Sequence, residues 1–468
     1  MTSTNVPATD TVTRPATRRN RELFLLVVAW GLGVLGTLQV GWATGEGTPQ
    51  RFWVTVAVVG ALALAAHVIV RWRVPYADPL LLPLATLLTV LGMTMIYRLD
   101  VAAAQRAIRN NSPVPSPDVY SQLIWFAVGI TLFTLVLLIL RDHRVLQRYT
   151  YTAGLIGIVL LLLPLVPGIG ATINGATLWV RLGGLSFQPA ELAKIALTIF
   201  FAGYLVVKRD ALALVRVRFL GIGLPRPRDL GPIIVAWALS LGILIFERDL
   251  GTSLLFFGLF VAMLYISTQR RSWIILGAGL FAIGSVFSYL AFNHVRVRVQ
   301  VWIDPFAFAD TGGYQIVQSL YGFANGGLLG TGLGNGYPQL VPFANTDFVL
   351  ASLGEELGLV GFIAIILLYA IMVQRGLRIS VAVRDPFGQL LAAGLSITLA
   401  LQVFVIVGGV TRLIPLTGLT TPFLSYGGSS LIANWILIAL LLVISHRARQ
   451  PLPEVEPIPD NATQVVSR

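Results

Sequence analysis

Three groups of residues in this chain have types and spacings that suit chemistry. Asp347, in Asn345-Thr346-Asp347-Phe348, returns a carboxylate to the start of an apolar run after the longest polar interruption in the sequence, which begins at His294. Glu191 and Lys194, in Pro189-Ala190-Glu191-Leu192-Ala193-Lys194, stand three apart, so on a helix they share a face and can pair. An ionisable pair inside an apolar span is expensive and marks a functional site by default. Arg181, Arg296 and Arg298 supply cations near the same stretches. Each reading has a plainer rival. Thr346 or Asp347 suits the N-cap of the helix that follows, although Val349 and Leu350 stand where a capping box needs Glu or Gln. The Glu191/Lys194 pair has a rival as an interfacial pair that snorkels outward.

Other chemistry is excluded or weak. The chain has no cysteine, so a disulfide, a thiolate nucleophile and a zinc-thiolate site are ruled out, and its four histidines are not closely spaced. The series Gly330-Thr331-Gly332-Leu333-Gly334-Asn335-Gly336 lacks the Gly-Lys-Ser/Thr ending of a phosphate loop and any strand before it. Ser425 lies in no Gly-x-Ser-x-Gly setting. Pro422 to Ser430, with its paired glycines, reads as a structured re-entrant or capping turn before the last helix. Asp249 reads as a turn residue, and Trp302 as an interfacial anchor.

The elements that position these residues are membrane spans. At 56% hydrophobic and 12% charged residues, with a mean hydropathy of +0.80, 468 residues do not pack as a soluble globule. A span needs about 20 apolar residues. Twelve segments approach that length, near 22–43, 51–71, 79–97, 121–140, 151–168, 189–207, 231–247, 251–268, 273–293, 347–374, 387–409 and 428–446. The fold class is therefore all-α, a polytopic membrane protein of about 12 helices with a large outer loop, 294–346, between helices 9 and 10. Residues 1–21, rich in Thr, Pro and Arg, read as a disordered cytoplasmic tail. The membrane domain covers 22–446, and 447–468 is a second cytoplasmic tail. The net charge of +12 comes largely from basic clusters in alternate loops, such as Arg141/Arg144/Arg148 and Arg375/Arg378/Arg384. That pattern orients a membrane protein and makes nucleic-acid binding unnecessary as an explanation. It puts both termini inside, and Arg181, Asp249, Arg412 and the long loop outside.

Read together, Asn174-Gly175-Ala176...Trp179...Arg181-Leu182-Gly183, Phe187-Gln188-Pro189-Ala190-Glu191-Leu192-Ala193-Lys194, Asp249-Leu250-Gly251-Thr252, Gly313-Tyr314-Gln315...Gln318-Ser319, Gly332-Leu333-Gly334-Asn335-Gly336, Thr346-Asp347-Phe348, Gly354-Glu355-Glu356-Leu357-Gly358 and Pro422 to Ser429 resemble the SEDS family, which comprises the RodA, FtsW and SpoVE proteins. The match runs in family order from about Asn174 to Ser445. Length, basic tail and two extra spans ahead of a ten-helix core are most similar to the RodA-type members of actinobacteria. The family usually has His where this chain has Asn345.

The resemblance implies a peptidoglycan glycosyltransferase that polymerises lipid II, the undecaprenyl-pyrophosphate-linked disaccharide pentapeptide, on the outer face of the cytoplasmic (inner) membrane. It implies Asp347 as the essential carboxylate. Such a base would take the proton from an acceptor 4-hydroxyl, a step that contributes about 100-fold to 10,000-fold in general base catalysis. Arg181, Lys194, Arg296 and Arg298 are the expected substrate-binding cations for the pyrophosphate, with Glu191 holding Lys194 or helping to bind a divalent cation. Mg²⁺ or Mn²⁺ is the candidate cofactor, and no other is expected. The implied partner is a class B penicillin-binding protein transpeptidase. Three readings stay open beside this one: a lipid II flippase, a scaffold that only activates its partner, and a polymerase serving division instead of elongation and cell shape.

Overall fold

The computed structural model describes residues 17–48, 52–173, 176–182, 185–213, 217–219, 222–224, 231, 235, 238–239, 241–243 and 245–451. Its helices are α1 (Arg19–Ala43), α2 (Phe52–Arg73), α3 (Leu81–Arg109), α4 (Asp118–Ile139), the single turn α5 (Val145–Arg148), α6 (Thr150–Leu162) and α7 (Ala190–Ala213). They continue with α8 (Leu250–Thr268), α9 (Ser272–Ala291), α10 (Asn293–Ile303), α11 (Tyr314–Gly326), α12 (Val349–Ala382), α13 (Pro386–Val410) and α14 (Gly428–Arg449). A small antiparallel sheet, β1 (Gly170–Ile173), β2 (Ala176–Leu182) and β3 (Leu185–Phe187), lies between α6 and α7. A hairpin, β4 (Val217–Phe219) with β5 (Ile222–Leu224), follows α7.

The all-α membrane class holds, and the span count differs from twelve. Among the described residues, 10 helices are long and apolar enough to cross a membrane. The segment expected at 151–168 is only 13 residues of α-helix, ended by a 3-10 turn at Leu163–Leu165 that contains Pro164. Seven of the 17 residues expected at 231–247 lie outside the described residues, as do the far ends of both expected tails. Helix α1 begins at Arg19, ahead of the start expected at 22. The expected outer loop is also more ordered than a loop. It carries α10 and α11, because Ile316, Ser319, Gly322 and Gly326 recur on one face that packs on α12.

Lipid gives apolar helices no reason to cluster by apolarity alone, so close packing of small residues does that work. A Cβ on Gly33 of α1 would stand 2.7 Å from Val90 Cβ on α3, so only glycine lets these helices touch. At the centre stands α14, whose Trp435 is fully buried among Phe126, Phe133 and Phe423, with ring centroids 5.6, 5.6 and 5.9 Å away. At the end of the bundle away from Asp347, Asp78 accepts from Arg375 at 2.7 Å and Arg449 at 2.6 Å, locking the ends of α12 and α14 to the entry of α3.

Helix α12 is broken at Gly358, where φ is 69° and ψ is −174°. Buried irregular backbone at membrane depth needs protein partners, and the glycine series provides them. Thr331 and Gly332 donate to Glu355 O and Glu356 O at 3.1 and 3.0 Å, while Leu359 and Val360 donate to Gly327 O and Leu328 O at 2.9 and 3.1 Å. The side chains of the broken turn finish the anchorage. Glu356 accepts from Arg98 Nε at 2.9 Å and Gly334 N at 3.0 Å; Glu355 accepts from Asn325 Nδ2 at 2.8 Å and Tyr337 N at 2.9 Å.

Candidate active site

Asp347 sits in a tight turn before α12. Phe343 adopts a left-handed conformation with φ 56°, and its carbonyl accepts from Thr346 N at 3.0 Å and Phe348 N at 3.3 Å. The half-buried carboxylate faces the loop between α13 and α14. Its Oδ2 lies 3.6 Å from where a Cβ would stand on Gly418, within van der Waals contact of this loop, and the φ of 79° there favours glycine. Arg298 reaches the same loop from α10, donating to Leu416 O at 3.4 Å and Thr417 O at 3.2 Å.

Asp249 completes the group. It caps α8, as a turn residue would, accepting from Thr252 N at 2.9 Å and also from the Thr252 hydroxyl. Its charge nevertheless acts on both Arg298 and Asp347. Burial pushes the Asp347 carboxyl up to about 6 from 3.8; Arg298 opposes that rise and Asp249 adds to it. Burial raises Asp249 as well, against its Thr252 bonds and Arg298, with Glu191 adding to the rise. Arg298 is lowered by burial, with Asp249 and Asp347 opposing. Two carboxylates thus act on one part-buried guanidinium, and the Asp347 carboxyl is raised toward neutrality, as a general base requires.

The second group is joined to the first through the loop Leu416 to Thr420. Lys194 Nζ donates to Glu191 Oε2 at 2.6 Å, to Gln402 Oε1 at 2.8 Å and to Asn434 Oδ1 at 3.4 Å. Gln402 Nε2 donates onward to Thr420 O at 3.0 Å. All four side chains are buried, so a cation is fixed by three acceptors where water is scarce.

Of the expected site residues, the structure brings Asp347 and Arg298 together, and Glu191 and Lys194 beside them. Arg181 stands exposed on β2, opposite Ser186. Arg296 turns back to α9, donating to Leu290 O at 3.1 Å and lying 5.9 Å over the Tyr289 ring. Sequence reasoning missed Gln402 and Asn434, although a polar residue inside an apolar span is the signal that found Lys194. It also undervalued Asp249, whose charge acts on Arg298 of a helix distant in sequence. Among the described residues, no three His, Asp or Glu side chains converge to hold a metal ion.

Known proteins resemble this chain along most of its length. The FtsW/RodA/SpoVE model, described as "Cell cycle protein", matches residues 78–450, leaving α1 and α2 ahead of the matched stretch. The chain is 50% identical, over the whole of both chains, to the peptidoglycan glycosyltransferase RodA of Mycobacterium tuberculosis. It is 34% identical to a probable peptidoglycan glycosyltransferase FtsW of Geobacter sp. strain M18, across 81% of this chain and 99% of the relative. Among solved structures, a mutant of the Rod shape determining protein RodA of Thermus thermophilus superposes with a TM-score of 0.56 at 26% identity, covering 80% of this chain and 98% of that one. A chain from a peptidoglycan synthase complex, described as coordinating polymerization and crosslinking, gives 0.54 at 26% identity, covering 85% and 98%. This chain belongs to the FtsW/RodA/SpoVE family.

Proposed function

We propose that this multi-pass membrane protein is a peptidoglycan glycosyltransferase that polymerises lipid II on the outer face of the cytoplasmic membrane, with Asp347 as its general base. The enzyme class is that of the full-length relatives. The observation that carries the catalytic reading is the half-buried Asp347 carboxylate beside the Gly418 loop, raised to about 6 by burial under the opposed charges of Arg298 and Asp249.

The acceptor 4-hydroxyl oxygen attacks the anomeric carbon of the donor sugar. A new carbon–oxygen bond forms there as the bond to the lipid pyrophosphate breaks, and the hydroxyl proton passes to Asp347. A single base with a lipid pyrophosphate leaving group suits an inverting displacement better than the two-carboxylate arrangement of glycoside hydrolysis. Arg298 and Lys194 are the cations positioned to offset charge developing on the departing pyrophosphate. Glu191 keeps Lys194 in place, and the isoprenoid tails remain in lipid between the helices. Glu191 is engaged by Lys194, so these residues do not build a metal cage. A divalent cation belongs with the substrate's pyrophosphate, as Mg²⁺ commonly does.

A transpeptidase of the class B penicillin-binding type would crosslink the product. The test is glycan polymerisation by the purified chain from lipid II in proteoliposomes, with that partner present. Polymer of many disaccharides supports the reading. Lipid II that crosses the bilayer without polymerising overturns it in favour of transport.

A further inference from the structure

We infer that Asp118 and Gln122, on one face of α4, form a clamp with Asn345 that positions Asp347. This inference rests on Asp347 being the base. Residues four apart on a helix are neighbours on its surface, and these two hold the two loops that flank the carboxylate. Asp118 Oδ2 accepts from Asn345 Nδ2 at 2.9 Å, two residues before Asp347. Gln122, 1% exposed, uses both ends of its amide: Nε2 donates to Ser425 O at 3.1 Å, and Oε1 accepts from Gly427 N at 3.2 Å.

The loops so held are also bonded to each other. Tyr426 N donates to Asn345 O at 2.7 Å, and the Ser425 hydroxyl donates to Thr346 O at 2.6 Å while accepting from Thr421 N at 2.8 Å. Helix α4 is itself fixed at that end. Asp100 of α3 accepts from Asp118 N at 3.0 Å and Val119 N at 2.9 Å. The chain from α3 through α4 to the Asn345–Asp347 turn therefore has a hydrogen bond at every joint. The side chain of Asn345 makes the joint to Asp118.

The charges acting on Asp347 are Arg298 of α10 and Asp249 at the α8 cap. Asp118 thus serves through the bond it accepts and not through its charge. That separates the clamp from an electrostatic role. Misplacing a catalytic group by about 1 Å can cost on the order of 100-fold.

The experiment compares lipid II polymerisation, per folded protein, in the full chain carrying Asp118→Ala, Asp118→Asn and Asn345→Ala. Asp118→Ala and Asn345→Ala should lower kcat by roughly 10- to 100-fold with KM within about 3-fold. Both should also move the acid-side midpoint of the rate downward from about 6, as Asp347 relaxes into water. Asp118→Asn keeps an acceptor oxygen and should restore kcat to within about 3-fold. A purely structural role would reduce folded protein and leave the midpoint in place. The inference is overturned if both alanine variants keep the wild-type rate and midpoint, or if Asp118→Asn loses as much as Asp118→Ala. Asn345→Ala gives the reading where Asp118→Ala does not fold. An inactive Asp347→Asn beside normal alanine variants sinks the clamp alone, whereas an active Asp347→Asn sinks the base.

Discussion

Lys194 and Gln402 stand 208 positions apart in sequence, and the Lys194 Nζ donates to Gln402 Oε1 across 2.8 Å in the interior of the bundle. That bond, with the Glu191 pair, fixes a cation where an unpaired one would be costly. Removing one partner of a buried pair typically costs about 3–5 kcal/mol, whereas replacing both with apolar groups is near neutral. Lys194→Met should therefore lower the melting temperature in detergent sharply. Lys194→Met with Glu191→Leu should recover most of that stability yet remain inactive in polymerisation. Activity in the double variant would remove Lys194 from the site.

The charges around Asp347 set the pH at which it can act. As a base it must be ionised, so the rate should fall as pH drops through about 6. Arg298 holds its proton affinity down and Asp249 holds it up. Arg298→Gln should move the acid-side midpoint to higher pH, and Asp249→Asn should move it lower. A pH–rate profile of each variant checks both directions, and shifts of the opposite sign would contradict the arrangement.

Stability should carry the same signature. The folded chain holds the Asp347 proton more tightly than an unfolded chain, about 6 against 3.8. Stability tied to this group is therefore complete below the lower value and lost as pH rises through the upper one. Asp347→Asn, which never has to ionise, should exceed the wild type at about pH 7.5 by on the order of 1–3 kcal/mol, the gap closing near pH 4. Thermal unfolding in detergent across that range measures it.

The break in α12 gives a purely conformational prediction. A Cβ on Gly358 would lie 2.2 Å from Gly330 N and 2.5 Å from Leu328 O, on a backbone with φ 69°. Gly358→Ala should destabilise by roughly 2–3 kcal/mol and reduce polymerisation. Gly279→Ala, on α9 with open space around it, should do neither.

Much of this was legible in the sequence, for definite reasons. Spans show because lipid demands long apolar helices, and the Glu191/Lys194 pair shows because charge is rare within them. Asp347 was found through its motif and its place at the end of a long interruption. What could not be read was pairing across the fold. Asp249 looked like a turn because its local cap bond to Thr252 explains it fully, and its second role depends on Arg298 arriving from another helix. Asp118 and Gln122 gave no local signal, since their partners lie more than 200 residues away. Helix α11 reads as loop in the sequence because its apolar face is short and needs α12 to bury it. The glycine series shows in the sequence only as something other than a phosphate loop; its task, closing the backbone of a broken helix, depends on the placement of Gly358.

The most direct test of the central claim is single-turnover polymerisation of lipid II by the wild type and by Asp347→Asn, each shown to be folded and to bind lipid II. If Asp347 is the base, the variant should bind substrate within a few-fold of wild type and lose about 100-fold or more of the rate. Equal rates in the two proteins would leave Asp347 a helix-start residue and contradict the account.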